Sequence, residues 1–220
     1  MSNCARWLWV CALGLGSLGC GGDDGGGGGL GDLFEALNGN YQLRAGTDCV
    51  IRINGSQIEA RTTRGDMTCA EEDEDGDSET LLASGTLTDS RIEGTLVYED
   101  TYSRGLGSDE DGCEEREGTR YEIMGTAEKM MGRQSEGRFG GLAGVWRGQV
   151  SKVESYLTIP CDGPVEVFEN TRDAYTFEAD VYGDFISAEV DTDDGSDTVL
   201  ITDTDTGDLL VDGEVISFEP

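Results

Sequence analysis

Hydrophobic and polar residues alternate along most of the chain after residue 40, and this period of two predicts β-strands. Cys49, Ile51 and Ile53 share one side of the first run, and Asn54-Gly55 predicts a tight hairpin turn. Ile58 and Ala60 then carry the returning strand. Similar runs follow at 81–87, 92–98, 121–127, 175–181, 186–190 and 199–218.

The region after residue 140 contains a less regular run. Trp146 and Val150 open a strand there, and Val153, Leu157 and Ile159 share a second parity. No stretch after residue 40 sustains the helical period of 3.6, and the one predicted helix, over 32–39, precedes the strands. The sequence therefore predicts an all-β fold, which could be an antiparallel meander, a small barrel or a sandwich.

A short repeated pattern divides the strand-forming part in two. Leu37-x-Gly39-x-Tyr41 and Leu142-x-Gly144-x-Trp146 share the order Leu-x-Gly-x-aromatic. Residues 129–141, rich in Gly and Arg, form the expected spacer between the two occurrences. We therefore expect an N-terminal β-unit at 32–139 and a C-terminal β-unit at 140–220, either as two similar units or within one fold.

The N-terminus carries a different signal. Residues 7–18 form an apolar run that is too short to span a membrane but suits a signal peptide, and Gly19-Cys20 follows it. These residues resemble the bacterial lipoprotein signal, which implies removal of residues 1–19 and acylation of Cys20. The resemblance further implies a lipid anchor in the bacterial envelope, with outer-membrane sorting. An ordinary secretory signal is the alternative.

The Gly-rich segment 20–31 cannot pack a core, and it predicts a disordered tether between the anchor and the body. Cys4 and Cys11 belong to the removed segment. Four cysteines then remain in the body, and an even number in an exported chain predicts two disulfides. Three pairings are open, of which we favour Cys49–Cys69 and Cys113–Cys161, because the first pair brackets the predicted hairpin.

Composition excludes several classes of function. The chain has 46 Asp and Glu, 15 Lys and Arg, a net charge of −31 and no His. Catalysis or metal binding through imidazole is excluded, and so large a negative charge opposes nucleic-acid binding. No phosphate-binding or dinucleotide motif is present, and we expect no catalytic residue and no cofactor. The charge instead favours a cationic partner.

Two motifs suggest binding. Gly144-Val145-Trp146 resembles the opening motif of the lipocalins, which implies an up-and-down barrel that carries a small apolar ligand; lipocalins also place a late Arg against this Trp. A core Trp at a strand start is the simpler interpretation. The acidic run 71–79 resembles a calcium loop, with Glu71, Asp73, Asp75 and Glu79 at ligand positions, and 109–112 and 191–197 echo it. A solvated charge run explains these segments more simply, so we predict no specific metal site.

These observations lead to three hypotheses for function. The first is a lipid-anchored envelope protein of the outer membrane, with a binding or structural role. The second is a lipocalin-like carrier of a small apolar ligand. The third, and least favoured, is a hydrolase that uses two facing carboxylates.

Overall fold

The computed structural model describes residues 39–42, 49–62, 69–72, 77–103, 115–137, 139–161, 163–192, 195–204, 208–212 and 214–219. Within these ranges the chain forms thirteen strands and a short 3-10 helix, Gly140–Leu142. The strands are β1 (Gly39–Gln42), β2 (Cys49–Asn54), β3 (Gln57–Thr62), β4 (Cys69–Glu72), β5 (Ser78–Leu87), β6 (Arg91–Ser103), β7 (Arg116–Gly132), β8 (Gly144–Ile159), β9 (Glu166–Val181), β10 (Phe185–Thr192), β11 (Gly195–Asp203), β12 (Leu209–Val211) and β13 (Glu214–Glu219).

The strands form a single antiparallel sheet that closes on itself. Twelve of them make the ring in the order β1-β2-β3-β5-β6-β7-β8-β9-β10-β11-β12-β13. The ring closes between β1 and β13, where Tyr41 lies opposite Phe218, and β3 joins β5, where Ile58 lies opposite Gly85. The short β4 pairs with the remaining part of β5. The prediction of an all-β antiparallel fold is confirmed, in its closed-barrel form.

Alternation places one side of every ring strand toward the interior of the barrel. Tyr41, Ile51 and Ile201 are fully buried there, and they belong to one continuous hydrophobic core. In the runs that begin at residues 49, 92, 121 and 175, the residues predicted to share one side of the strand are those that face the core in the structure. The predicted Asn54-Gly55 turn also forms, with Gly55 in the left-handed region at φ 58°.

Glycines on the inward side allow the strands to approach closely. Gly85, Gly94 and Gly125 lie in register on β5, β6 and β7. A Cβ at Gly85 would lie 2.6 Å from the carbonyl oxygen of Glu93, so a larger residue would require the backbone to move. Gly148 on β8 leaves the space that the ring of Phe177 occupies. These positions allow the sheet to bend around its core.

The two ends of the barrel differ. The end that contains the Asn54-Gly55 hairpin and the 3-10 helix is called the closed end. There Phe139 is fully buried, its backbone N–H donates to the carbonyl of Gly183 (2.7 Å), and Leu142 packs in the core. The opposite end is called the open end, where β6 to β9 extend with 13 to 17 residues each.

The boundaries around residue 140 differ in part from the expectation. β7 continues to Gly132, so the spacer before β8 starts later than residue 129. Six ring strands precede this connection and six follow it, and Gly39 and Gly144 each open a strand at the closed end. Tyr41 and Trp146, two residues further on, are both buried in the core. The division into two β-units stays a prediction.

Several predicted features of the N-terminal part lie outside the described residues. These features are the signal peptide 1–19, the lipidated Cys20 with the tether 20–31, and the predicted helix as far as residue 38. Among the described residues, no helix is long and apolar enough to cross a membrane.

Candidate functional site at the open end of the barrel

The inward-facing side chains of β8 form a single row that runs from the core to the solvent. The strand is continuous, so every second residue from Trp146 faces the interior. Trp146 and Val150 are buried, whereas Lys152, Glu154 and Tyr156 continue the same row toward the open end. The inward side therefore changes from hydrophobic to polar and aromatic along a single strand.

Two aromatic side chains lie next to each other at the end of this row. Tyr156 on β8 lies directly opposite Phe168 on β9, so both side chains are on the inward side of the sheet. Tyr156 is 52% exposed and Phe168 is 56% exposed, although they are on the side that elsewhere forms the core. We call these two residues the aromatic platform.

A β-bulge shapes the site beside the platform. The register between β8 and β9 shifts between Glu154 and Ser155, which leaves Asn170 as the extra residue of β9. The Asn170 side-chain amide donates to Glu154 Oε1 (3.0 Å) and to the Tyr156 hydroxyl (3.4 Å). The bulge thus adds a hydrogen-bonding amide to the inward side and orients the carboxylate of Glu154.

An ammonium group lies deeper in the same row. Lys152 Nζ is 3.8 Å from Glu154 Oε2 and 5.2 Å from the centroid of the Tyr121 ring. The Tyr121 ring stacks in turn on Tyr98 from β6, with 6.4 Å between centroids. The side chains of Lys152 and Glu154 are 16% and 22% exposed, so this ion pair is less screened by water than a surface pair.

Charge on the inward side of the open end is mostly negative. Lys152 is the one Lys or Arg on this side in the part of the chain that the structure describes. Among the described residues, the carboxylates that share this side by register are Glu79, Asp100, Glu117, Glu154, Glu166, Asp173 and Asp197. The site therefore combines aromatic faces with an excess of carboxylates.

The outer side of β9 next to the platform is different. Arg172 donates to both carboxylate oxygens of Glu169, at 3.0 Å and 2.8 Å. This hydrogen bond and the charge of Arg172 lower the pKa of Glu169. Both side chains are exposed, and they give the outer side a local neutral pair instead of an acidic surface.

The closed end holds the Gly-x-Trp motif in a structural setting. The Trp146 indole N–H donates to the carbonyl of Leu142 (2.7 Å), and Lys129 Nζ lies 5.1 Å from the Trp146 ring centroid. Lys129 also donates to the carbonyl of Gly141 (3.2 Å), and burial lowers the pKa of its ammonium while Asp89 opposes that shift. A cationic side chain does lie over the Trp146 ring, as in the lipocalin pattern. It is Lys129 of the preceding strand β7, however, and not an Arg from late in the chain.

The structure settles one of the two predicted disulfides. Cys49 and Cys69 are bonded, as predicted, and connect β2 to β4. Cys161 is also disulfide-bonded, whereas its predicted partner Cys113 lies outside the described residues. The proposed lipid site Cys20 lies outside them as well.

The acidic segments that resemble calcium loops are described only in part. Residues 73–76, 104–114 and 193–194 are outside the described ranges. Within those ranges, no group of three or more Cys, Asp or Glu side chains could hold a metal ion.

Sequence reasoning missed the site residues on β8 and β9. The residues concerned are Lys152, Glu154, Tyr156, Phe168 and Asn170. If Val153 and Leu157 are taken as inward residues, the even-numbered positions of β8 would face the solvent. In the structure the even-numbered residues face inward along the whole strand, beginning with Trp146. Counting in steps of two from Trp146 would have placed Tyr156 on the inward side.

No family model, curated protein or solved structure matches this chain. The chemistry of the open end can be stated from its own groups. Tyr156 and Phe168 offer flat apolar surfaces, Asn170 offers an amide, and Glu154 offers a charged acceptor. Such a set suits non-covalent recognition of a small molecule.

Proposed function

We propose that this protein is a lipid-anchored protein of the bacterial envelope that binds a small ligand on the aromatic platform. One observation carries the proposal. Tyr156 and Phe168 lie on the side of the sheet that forms the core, yet more than half of each side chain is exposed. Adjacent exposed aromatic side chains next to oriented polar groups are typical of a binding site.

The position of β1 is consistent with a barrel that is anchored at one end and binds its ligand at the other. Gly39 begins β1 at the closed end, since it lies opposite Ile53, next to the Asn54-Gly55 turn. The tether that starts at Cys20 would reach the barrel at that end. The aromatic platform is at the opposite end and would face away from the membrane.

The lipocalin-like carrier is the second candidate, and the closed antiparallel barrel favours it. In that function the ligand would lie inside the barrel. Tyr41, Trp146 and Phe177 are buried there in one continuous core, while the aromatic platform extends beyond it. We therefore favour the platform as the site.

Ligand binding can be tested with a neutral naphthylamine dye whose fluorescence rises in apolar surroundings. Phe168→Ala and Tyr156→Ala should each weaken dye binding by about tenfold, because each removes one stacking surface. Val167→Ala is the matched control, since Val167 is the exposed neighbour on the outer side of β9. Dye binding that is equal in all these variants would support the carrier function and contradict the platform.

The anchor has a separate test. Mass spectrometry of the mature protein without reductant should show loss of residues 1–19, a lipid on Cys20 and no free thiol. Cys20→Ser should leave the protein unprocessed or released from the membrane. A Cys20→Ser protein that is still cleaved at the same position and stays membrane-bound would refute the anchor.

A further inference from the structure

We infer that the ligand of the open end carries an ammonium or similar cationic group that takes the place of Lys152 Nζ between Tyr121 and Glu154. This inference rests on the proposed function and adds the chemical class of the ligand. Its basis is that the protein already holds a cation in this position, between an aromatic face and a carboxylate. An aromatic face and a carboxylate together are the usual surroundings of a bound ammonium group.

The contacts of Lys152 suit exchange with a ligand. Its ammonium is 3.8 Å from the nearer carboxylate oxygen, which is longer than a good charge-assisted hydrogen bond of about 2.7–2.9 Å. Glu154 keeps its orientation without Lys152, because Asn170 binds its other oxygen at 3.0 Å. A ligand cation that approaches Glu154 more closely would therefore replace a loose contact with a tighter one.

Charge favours a cation over an anion at this place. The inward side of the open end carries an excess of carboxylates, and the whole chain has a net charge of −31. Among the described residues on this side, only Lys152 would attract an anionic ligand, and the carboxylates would repel it. A cationic ligand would also be attracted from a distance, at low ionic strength above all.

The spacing along β8 sets the size of the ligand. Lys152, Glu154 and Tyr156 are successive inward residues, so Glu154, which would hold the cation, and Tyr156 are about 7 Å apart along the strand at 3.3 Å per residue. A molecule with a cationic group at one end and a flat apolar group at the other would reach both the carboxylate and the platform. The inferred ligand class is a small cationic amphiphile.

The test uses three probes of one shape: a naphthylmethyl group that carries trimethylammonium, a neutral alcohol or a sulfonate. Binding to the full-length protein is measured by calorimetry at low salt. The trimethylammonium probe should bind about tenfold more tightly than the alcohol, and the sulfonate should bind least. Raising the salt concentration should weaken the binding of the trimethylammonium probe and leave that of the alcohol unchanged.

Two variants identify the position of the cation. Lys152→Met removes the competing ammonium and should strengthen binding of the trimethylammonium probe about threefold or more, with the alcohol unchanged. Glu154→Gln should weaken binding of the same probe about tenfold. Glu169→Gln is the matched control on the outer side of β9, and it should change neither affinity.

The outcomes separate the two proposals. Failure of all three probes to bind would overturn the proposed function itself. Binding of the alcohol or the sulfonate at least as tightly as the cation would overturn the ligand class alone. Loss of sulfonate binding in Lys152→Met would show that Lys152 holds an anion, which also contradicts the inference.

Discussion

The two ends of the barrel place a lysine over an aromatic ring in nearly the same geometry, with different partners. Lys129 Nζ lies 5.1 Å from the Trp146 ring at the closed end, and Lys152 Nζ lies 5.2 Å from the Tyr121 ring at the open end. Lys129 also donates to a backbone carbonyl of the connection before β8. Lys152 instead pairs at 3.8 Å with a side chain.

The difference shows that one strand can have a buried, fixed start and an exposed end. Trp146 at the start of β8 is 2% exposed and hydrogen-bonded, whereas Tyr156 on the same side near its other end is half exposed. A contact with the backbone and a buried ring fixes the closed end. Side-chain contacts that another molecule can replace leave the open end available.

The largest expected effect is the loss of Trp146. Trp146→Ala should lower the free energy of unfolding by about 3–5 kcal/mol, because it leaves a cavity and removes the cover of the closed end. Urea unfolding followed by far-ultraviolet circular dichroism measures this change.

Phe168→Ala provides the comparison at the open end. We expect it to cost less than about 1 kcal/mol, because an exposed aromatic side chain loses little burial on truncation. Similar losses in both variants would contradict the assignment of stability to one end and binding to the other.

Removal of the disulfide between the short strands β2 and β4 should cost somewhat less stability than Trp146→Ala and more than Phe168→Ala. Cys49 and Cys69 are 20 residues apart, and loop entropy gives such a bond about 3 kcal/mol. The double variant Cys49→Ser/Cys69→Ser should therefore unfold at a lower urea concentration than the parent. Because the three strands β5, β6 and β7 separate β4 from β8, dye binding under native conditions should not change. A weaker affinity for the dye would mean that β4 contributes to the site.

The smallest effect concerns Glu169 on the outer side of β9. Arg172 lowers the pKa of this carboxyl below its usual value of 4.5, so the pair adds stability above that pH and loses it as the pH falls through the lowered pKa. Carbon-detected NMR titration measures the pKa. Arg172→Gln should return it toward 4.5, while Val167→Ala should leave it low. A Glu169 that titrates normally in the parent protein would contradict the ion pair.

Much of the fold was predictable because alternation and turns are local. Cys49, Ile51 and Ile53 alternate before Asn54-Gly55, and the structure forms that hairpin. The pairing of Cys49 with Cys69 followed from the hairpin between them. Closure of β1 on β13 was not predictable, because it joins residues far apart in the sequence and no local pattern encodes it.

The site was not predictable from hydrophobicity for a specific reason. A strand that leaves the core puts polar residues on its inward side, so the usual assignment of polar residues to solvent fails. The hydrophobic residues Val153 and Leu157 led to the wrong prediction of which side of β8 faces inward. Leu157 is buried, but on the outer side of the sheet. The bulge at Asn170 then shifts the parity of β9, which no local signal in this sequence indicates.

The seam between β1 and β13 bears on the order of events during folding. β13 comes after every other ring strand in the chain, yet it supplies the partners of both β1 and β12. A polypeptide that emerges amino end first delivers this strand last, so one edge each of β1 and β12 stays unpaired until then. Pairing between distant segments is slow, so these two edges are the part of the sheet that is exposed longest to pairing with other chains.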